Sequence, residues 1–264
     1  MTHRRMSQSL LRTAHQMLLD GVRGRDKSPG QYRSAQSWIG PSGCSIDEAS
    51  YVPVRQEQLQ NGMDRWEEYI DQTAEVDVLV QLAVLHAEFE ALHPFEDGNG
   101  RLGRILIPLF LFQRKLLASP DFYMSSYLES NREVYVEKLR GISRDNDWTG
   151  WIMFFLEGIR RQSFSNESKA KSILLLYDRL KMELVENMRS QYSIRALGFL
   201  FQTPVFTSTT FVKQSGIPKP TTTRLLGLLR ELSVLTPIRM GRGRRAGIFA
   251  FRELVNLAEG KEIL

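Results

Sequence analysis

The stretch LHPFEDGNGRLGR, residues 92–104, decides how the chain is to be read. Within it GNGRLG spells G-x-G-x-x-G, the glycine spacing of a dinucleotide-binding turn. That turn needs a strand before it and an acidic residue about twenty positions later, at the end of a second strand. The preceding segment, EVDVLVQLAVLHAEFEAL (75–92), instead has period 3.6 and good helix formers. The segment beyond, ILIPLFLFQRKLL (105–117), reads as an apolar helix that Pro108 should kink. Helix–loop–helix is the wrong frame for a Rossmann crossover, and the Walker pattern G-x-x-x-x-G-K-[ST] is absent.

A different phosphate chemistry fits the same residues. Pro94 disfavours helical geometry at His93 and so ends the first helix there. Gly98 and Gly100 let backbone N–H groups turn toward an anion, and the next helix, expected to start near Arg101, adds its free N–H groups and positive end. Arg101 and Arg104 in that first turn oppose the helix dipole at roughly 0.3–1 kcal/mol each, which a bound anion would justify. Asp97 supplies one carboxylate, the usual protein share for Mg²⁺ held mainly through phosphates and water. His93 at the rim is placed to take a proton from a hydroxyl. Each part also has an ordinary use: His93 as a cap, the glycines as a turn, the arginines as surface partners of Asp97, Glu96 or Glu90. Their concurrence within one short window favours the phosphate site, with Phe95 as its apolar anchor.

Working outward, the chain has 264 residues, a net charge of +5, 42% hydrophobic and 25% charged residues. That is an ordinary globular composition, long enough for one large and one small domain. The single Cys44 excludes an internal disulfide or a cysteine-based zinc site and suits a cytoplasmic protein. No apolar run approaches the ~20 residues of a membrane span, so no membrane partner is expected. The basic start reads as a first helix, with Leu10, Leu11, Met17, Leu18 and Leu19 on one face, and not as a signal peptide. Residues 27–54 are irregular, and short runs at Ser37–Ile39 and Ala49–Val54 are expected to pair as a hairpin. Further helices are expected at about 55–72, 76–92, 129–142, 147–163 and 165–191, the last a linking helix.

The motif H-P-F-E-D-G-N-G-R-L-G-R at 93–104 matches the signature H-P-F-x-[D/E]-G-N-G-R-x-x-R of the Fic (filamentation induced by cAMP) family at every specified position. KSPGQYRSAQSWIG (27–40) resembles the segment that Fic proteins place before their flap, and YLESNREVYVEKL (127–139) extends the likeness, which covers most of residues 7–165. The resemblance implies an all-helical domain with a small β-hairpin flap that transfers AMP from ATP to a Ser, Thr or Tyr hydroxyl of a target protein. It assigns His93 as general base and Asp97 as the Mg²⁺ ligand. Gly98, Asn99 and Gly100 become the anion hole, with the Asn99 side chain helping, and Arg101 and Arg104 the grip on the phosphate tail. Tyr51, Val52, Pro53 and Val54 would form a flap that holds a target's backbone as an added strand. Asn131 and Tyr135 would lie by the ribose and adenine, with Val136 where many relatives carry a second tyrosine. Glycine at position 100, where the phosphorylating Doc-like branch has lysine, favours AMP transfer. The family's inhibitory [S/T]-x-x-x-E-[G/N] helix has no counterpart, since Met153, Met182 and Val255 stand where Ser or Thr is required. A restraining partner protein is one alternative that this leaves open. His86 is read as a packed or surface histidine, and Cys44 as chemically idle.

Residues 192–264 hold eleven Lys or Arg against four Asp or Glu, a net of +7, which leaves −2 for residues 1–191. They read as an α+β winged helix-turn-helix: a helix at 193–201, a first motif helix ending at Phe211–Gly216, a recognition helix from Lys219 to Ser233, and a wing at 234–251. Lys219, Thr222 and Arg224 at the exposed start of the recognition helix, with Arg242, Arg244 and Arg245 in the wing, are the candidate DNA contacts. The alternative is a winged helix used only for protein contacts. The expected organisation is thus mainly α: residues 1–165 a Fic catalytic domain, 166–191 a linking helix, and 192–264 the winged-helix domain. Two functions from different classes follow. One is an adenylyltransferase using ATP and Mg²⁺ on a target protein or on itself, with removal of AMP in the same pocket as its reverse. The other is a DNA-binding regulator whose Fic-like domain senses nucleotide or forms a homodimer.

Overall fold

The structure, a computed structural model, describes residues 5–20, 26–41, 43–72, 77–188, 190–241 and 245–263. The chain divides into two compact units, Met1–Phe164 and Ser165–Leu264. Both are mainly helical, and the second contains a small sheet.

The first unit is built around α3 (Val78–Leu92), whose sequence is apolar on every side and which is accordingly buried along its length. Its start is fixed by Asp77, whose carboxylate accepts the N–H groups of Leu79 and Val80. α2 (Gln56–Asp71), α4 (Asn99–Gln113) and the beginning of α7 (Trp148–Met188) pack on it, and α1 (Gln8–Leu19) packs on α4. Between α4 and α7 run α5 (Ser125–Ser130) and α6 (Arg132–Asp145). One core unites Leu11, Met63, Leu82, Phe89, Phe95, Leu102, Ile107, Trp151 and Phe155. Two indoles satisfy their buried N–H groups on α3 carbonyls, Trp66 on Leu85 at 2.9 Å and Trp151 on Ala83 at 2.9 Å. Each therefore fills apolar volume and pins a neighbouring helix to α3 at the cost of no unpaired donor.

Several expectations change. Met17 is 74% exposed, because α1 turns Leu11, His15 and Leu19 inward and Met17 points away from that face. The expected hairpin at 37–54 is reduced to a single antiparallel bridge between Ile39 and Tyr51. The helix expected at 129–142 is interrupted at Asn131, which ends α5 and begins α6. The helices expected at 147–163 and 165–191 are one continuous α7, since nothing between them is Gly or Pro. Pro108 lies inside α4, which continues to Gln113.

In the second unit α7 contributes Leu176, Leu180 and Leu184 to a core with Leu197, Leu200, Phe211, Leu225, Leu229 and Phe251. The elements follow in the order α8 (Ser193–Gln202), β1 (Val205–Thr207), α9 (Ser208–Gln214), α10 (Lys219–Glu231), β2 (Thr236–Arg239), β3 (Ile248–Ala250) and α11 (Arg252–Glu259). The strands form an antiparallel sheet in the order β1-β3-β2, with an irregularity between Pro237 and Arg239. Among the described residues no helix is long and apolar enough to cross a membrane.

Candidate active site

The loop between α3 and α4 is shaped by its own sequence. His93 closes α3 in the left-handed conformation (φ 47°, ψ 60°), its N–H bonded to the Phe89 carbonyl at 3.1 Å. Histidine visits that region more readily than bulkier residues, and Pro94 prevents a further turn. Phe95 then plunges fully into the core, its ring stacked on His15 at 3.8 Å. Asn99 clamps the bend, its Oδ1 accepting the Phe95 N–H at 2.9 Å and its Nδ2 donating to the Phe95 carbonyl at 2.7 Å. Gly98 takes φ 85° and starts α4. The first bond of that helix is Leu102 N–H to the Gly98 carbonyl at 2.9 Å, so the helix itself leaves the N–H groups of Asn99, Gly100 and Arg101 without a partner.

Charged groups gather at this helix end. Asp97 places Oδ1 on the Gly98 N–H at 2.6 Å and Oδ2 3.5 Å from the Arg101 guanidinium. Gly100 lies beside Arg104, a Cβ there falling 3.6 Å from a guanidinium nitrogen. Burial pushes the His93 imidazole down to about 4, helped by Arg33 and opposed by the Glu90 carbonyl and by Asp97. His93 is therefore a neutral ring at physiological pH, with a proton acceptor to offer. Its Nδ1 is buried and makes no hydrogen bond. Burial also pushes the Glu90 carboxyl up to about 7 against the pull of Arg104, and its Oε1 is buried without a hydrogen-bond partner.

The structure places Asp97, Gly98, Gly100, Arg101 and Arg104 at the start of α4 and His93 at the end of α3, on the loop that joins the two helices, and it commits two other side chains to the interior. The Asn99 side chain is 2% exposed and committed to Phe95, so it shapes the bend from within and does not extend into an anion hole. Tyr135 turns its hydroxyl inward to His86 Nε2 at 3.1 Å and packs on Trp151 and Phe154. Its hydroxyl is thereby committed to the interior, while the side chain as a whole is half-buried. Asn131 donates to the Tyr127 carbonyl at 2.8 Å. His86 is 2% exposed and is a packed histidine, which burial pushes down to about 4.

The segment at 51–54, expected as a flap, is tied to the same loop. Tyr51 donates its hydroxyl to the Ala91 carbonyl at 3.0 Å, and the Pro53 carbonyl accepts from Gln36 at 3.1 Å. Val52 is the outward residue, 44% exposed. Arg33, which the sequence reading passed over inside KSPGQYRSAQSWIG, is 2% exposed and joins these parts. Its guanidinium donates to the carbonyls of His93 (3.1 Å), Ala35 (3.1 Å) and Val54, and its N–H donates to the Pro94 carbonyl at 2.9 Å. An arginine between aromatic and small residues was the only available hint. His15 was missed as well. It is fully buried, and burial lowers its affinity for a proton.

In the second unit Lys219 opens α10 and is exposed, as are Arg224, Arg239 and Arg245. Thr222, expected on the exposed face, is fully buried. It shares the inward stripe of Leu225, Leu226 and Leu229, and its hydroxyl donates to the Ile217 and Pro218 carbonyls at 3.2 Å each. It is excluded as a base contact. Arg242 and Arg244 lie outside the described residues.

Comparison with known proteins agrees with the motif. Residues 5–111 match the model of the Fic/DOC family. A probable protein adenylyltransferase of Aquifex aeolicus is 40% identical over 65 residues, 25% of this chain and 18% of that protein. A Fido domain-containing protein of Dictyostelium discoideum is 35% identical over 78 residues, 30% of this chain and 50% of that one. The chain thus matches half or less of the length of either relative. A crystal structure of a Fic family protein from Desulfovibrio desulfuricans superposes with a TM-score of 0.55 over 92% of this chain and 68% of that one, at 22% identity, a likeness of fold. Motif, family model, relatives and fold together support a domain of the Fic/Fido family in the first unit.

Proposed function

We propose that the protein is a Mg²⁺-dependent adenylyltransferase that moves AMP from ATP to a hydroxyl of a target protein or of itself. The observation that carries this reading is the neutral His93 imidazole at the cap of α3, on the short loop that leads into a helix N-terminus carrying Asp97, Arg101 and Arg104. The phosphates of ATP would lie on the free N–H groups of Asn99, Gly100 and Arg101, with the arginines on the tail. Among the described residues no three His, Cys, Asp or Glu side chains converge as a metal cage. One carboxylate, Asp97, with Oδ2 held only by a long contact to Arg101, suits a Mg²⁺ ion bound chiefly through phosphates and water. Such an ion supplies charge neutralisation on the phosphate oxygens. His93 takes the proton as the target hydroxyl oxygen forms its bond to the α-phosphorus. The bond from that phosphorus to the α–β bridging oxygen breaks, and pyrophosphate leaves with the electron pair. Exposed Val52 offers the edge on which an extended target backbone would lie.

The test is incubation with Mg²⁺ and α-labelled ATP, alone and with cell extract, beside His93→Ala. Label on a protein band, reduced by roughly a hundredfold or more in the variant, is the expected result. Equal labelling by folded His93→Ala would rule out His93 as the base.

A second reading concerns the second unit, in which Lys219, Arg224, Arg239 and Arg245 are exposed within a stretch of net charge +7. We propose that this unit is a winged helix-turn-helix and binds DNA, its phosphate contacts made by those four residues.

A further inference from the structure

His15 lies against the signature loop at three residues, Phe95, Asp97 and Gly98, without belonging to the signature. Its ring stacks on Phe95 with 3.8 Å between centroids and 15° between planes. Its Nε2 lies 2.8 Å from the Asp97 carbonyl oxygen, and a Cβ on Gly98 would fall 3.4 Å from the same nitrogen. The other ring nitrogen settles which atom carries the proton. Gly30 donates its N–H to Nδ1 at 2.9 Å, so Nδ1 must present its lone pair, and the neutral ring carries its hydrogen on Nε2. Nε2 is therefore the donor to the Asp97 carbonyl. Gly30 reaches this position at φ 79°, and a Cβ there would stand 3.1 Å from the Arg12 carbonyl oxygen, so the donor is itself held against α1.

From this geometry we infer that His15 is a positioning residue whose backbone-fixed tautomer holds the Asp97 peptide, and with it the Asp97 carboxylate and the first N–H groups of α4, in the orientation that receives phosphate and metal. The inference rests on the reading of that loop as the nucleotide site. Phe95 and Asn99 set the bend from one side, and His15 fixes the peptide between them and the helix. A rotation of the Asp97 peptide would turn both the carboxylate and the Gly98 N–H, which Asp97 Oδ1 accepts at 2.6 Å.

Amide hydrogen exchange on the intact chain separates this role from simple packing. His15→Gln keeps a donor near the Nε2 position, whereas His15→Asn keeps an acceptor near Nδ1. A crossed pattern is expected. Exchange in residues 95–101 accelerates roughly five- to tenfold in His15→Asn, the loss of about one hydrogen bond, while Gly30 stays protected. In His15→Gln, Gly30 accelerates and the loop stays within about twofold of the parent. AMP transfer falls by about tenfold or more in the Asn variant, through the rate at saturating Mg²⁺-ATP, and the Gln variant recovers most of it. If His15→Asn fails to fold, His15→Phe, which keeps the stack and removes both bonds, takes its place and should show the fast loop. Equal acceleration of both segments in both variants, or in neither, overturns the inference. A parent protein that transfers no AMP overturns the proposed activity instead, and the exchange pattern still decides the role of His15.

Discussion

His86 on α3 and His93 at its cap are both pushed down to about 4 by burial, yet one is packed among aromatic rings and the other opens the α3–α4 loop. A histidine whose folded value lies below the ordinary 6.5 leaves the unfolded chain holding more protons between those two values. Stability therefore rises with pH through that window and is lost as pH falls from about 6.5 toward 4. For His86, 2% exposed, the full difference is on the order of 3 kcal/mol. Glu90 works in the opposite sense: pushed up to about 7, it holds its proton in the folded chain after the unfolded chain has lost it. Stability from this group is present below about 4.5 and is lost as pH rises toward 7. Urea unfolding at a series of pH values should show a shallower acid limb in His86→Gln and a flatter neutral limb in Glu90→Gln. Parallel limbs in parent and variants would show that neither group carries the dependence.

At the scale of elements, α5 lies on α7 at a glycine. A Cβ on Gly158 would stand 2.5 Å and 2.6 Å from two ring carbons of Tyr127 and 2.7 Å from the Met124 methyl, and Met124 is itself 2% exposed. Gly158→Ala should raise helix propensity by about 1 kcal/mol and lose about 1–3 kcal/mol to overpacking. A net loss of stability is expected, read as a lower urea midpoint with unchanged slope. A stabilised variant would show that α5 can lift off freely. The existence of α2, α3, α4 and α10 was legible in the sequence, as were the loop and its charges, because periodic apolar residues and the Pro–Gly signals fix them locally. What was hidden depended on long-range partners. The Asn99 side chain looked like an anion ligand, yet both ends of its amide bond to Phe95, and nothing in the sequence showed that the Tyr135 hydroxyl meets His86. Thr222 looked exposed because three threonines in a row read as polar surface, although α-helical spacing puts it on the leucine stripe. Arg33 and His15 sit outside the signature and reach it only through backbone carbonyls, contacts that leave no pattern in side-chain type.

For the whole molecule, the two apolar cores share no residue, and the charge is divided as unevenly as the cores, −2 before residue 192 and +7 from there on. An exposed cation far from any carboxylate contributes little to folding, so a surplus of this size is informative mainly about partners. Arg239 and Arg245 lie on the β2–β3 side of the second unit, and Lys219 and Arg224 on the first two turns of α10. If these residues bind duplex phosphates, each neutralised phosphate releases counterions, and the logarithm of the affinity falls linearly with the logarithm of salt. Titration of a mixed-sequence DNA duplex at several salt concentrations should therefore give a steep slope for the parent protein. Removing Arg239 and Arg245 together should weaken binding to every sequence alike and reduce that slope by about one per lost contact. Substituting the buried Thr222 with Val should leave the slope unchanged, since its hydroxyl faces Ile217 and Pro218 inside the unit. A parent protein whose affinity is insensitive to salt, or a double variant with the parent's slope, would remove DNA as the partner of this surface and leave a protein ligand as the use for its charge.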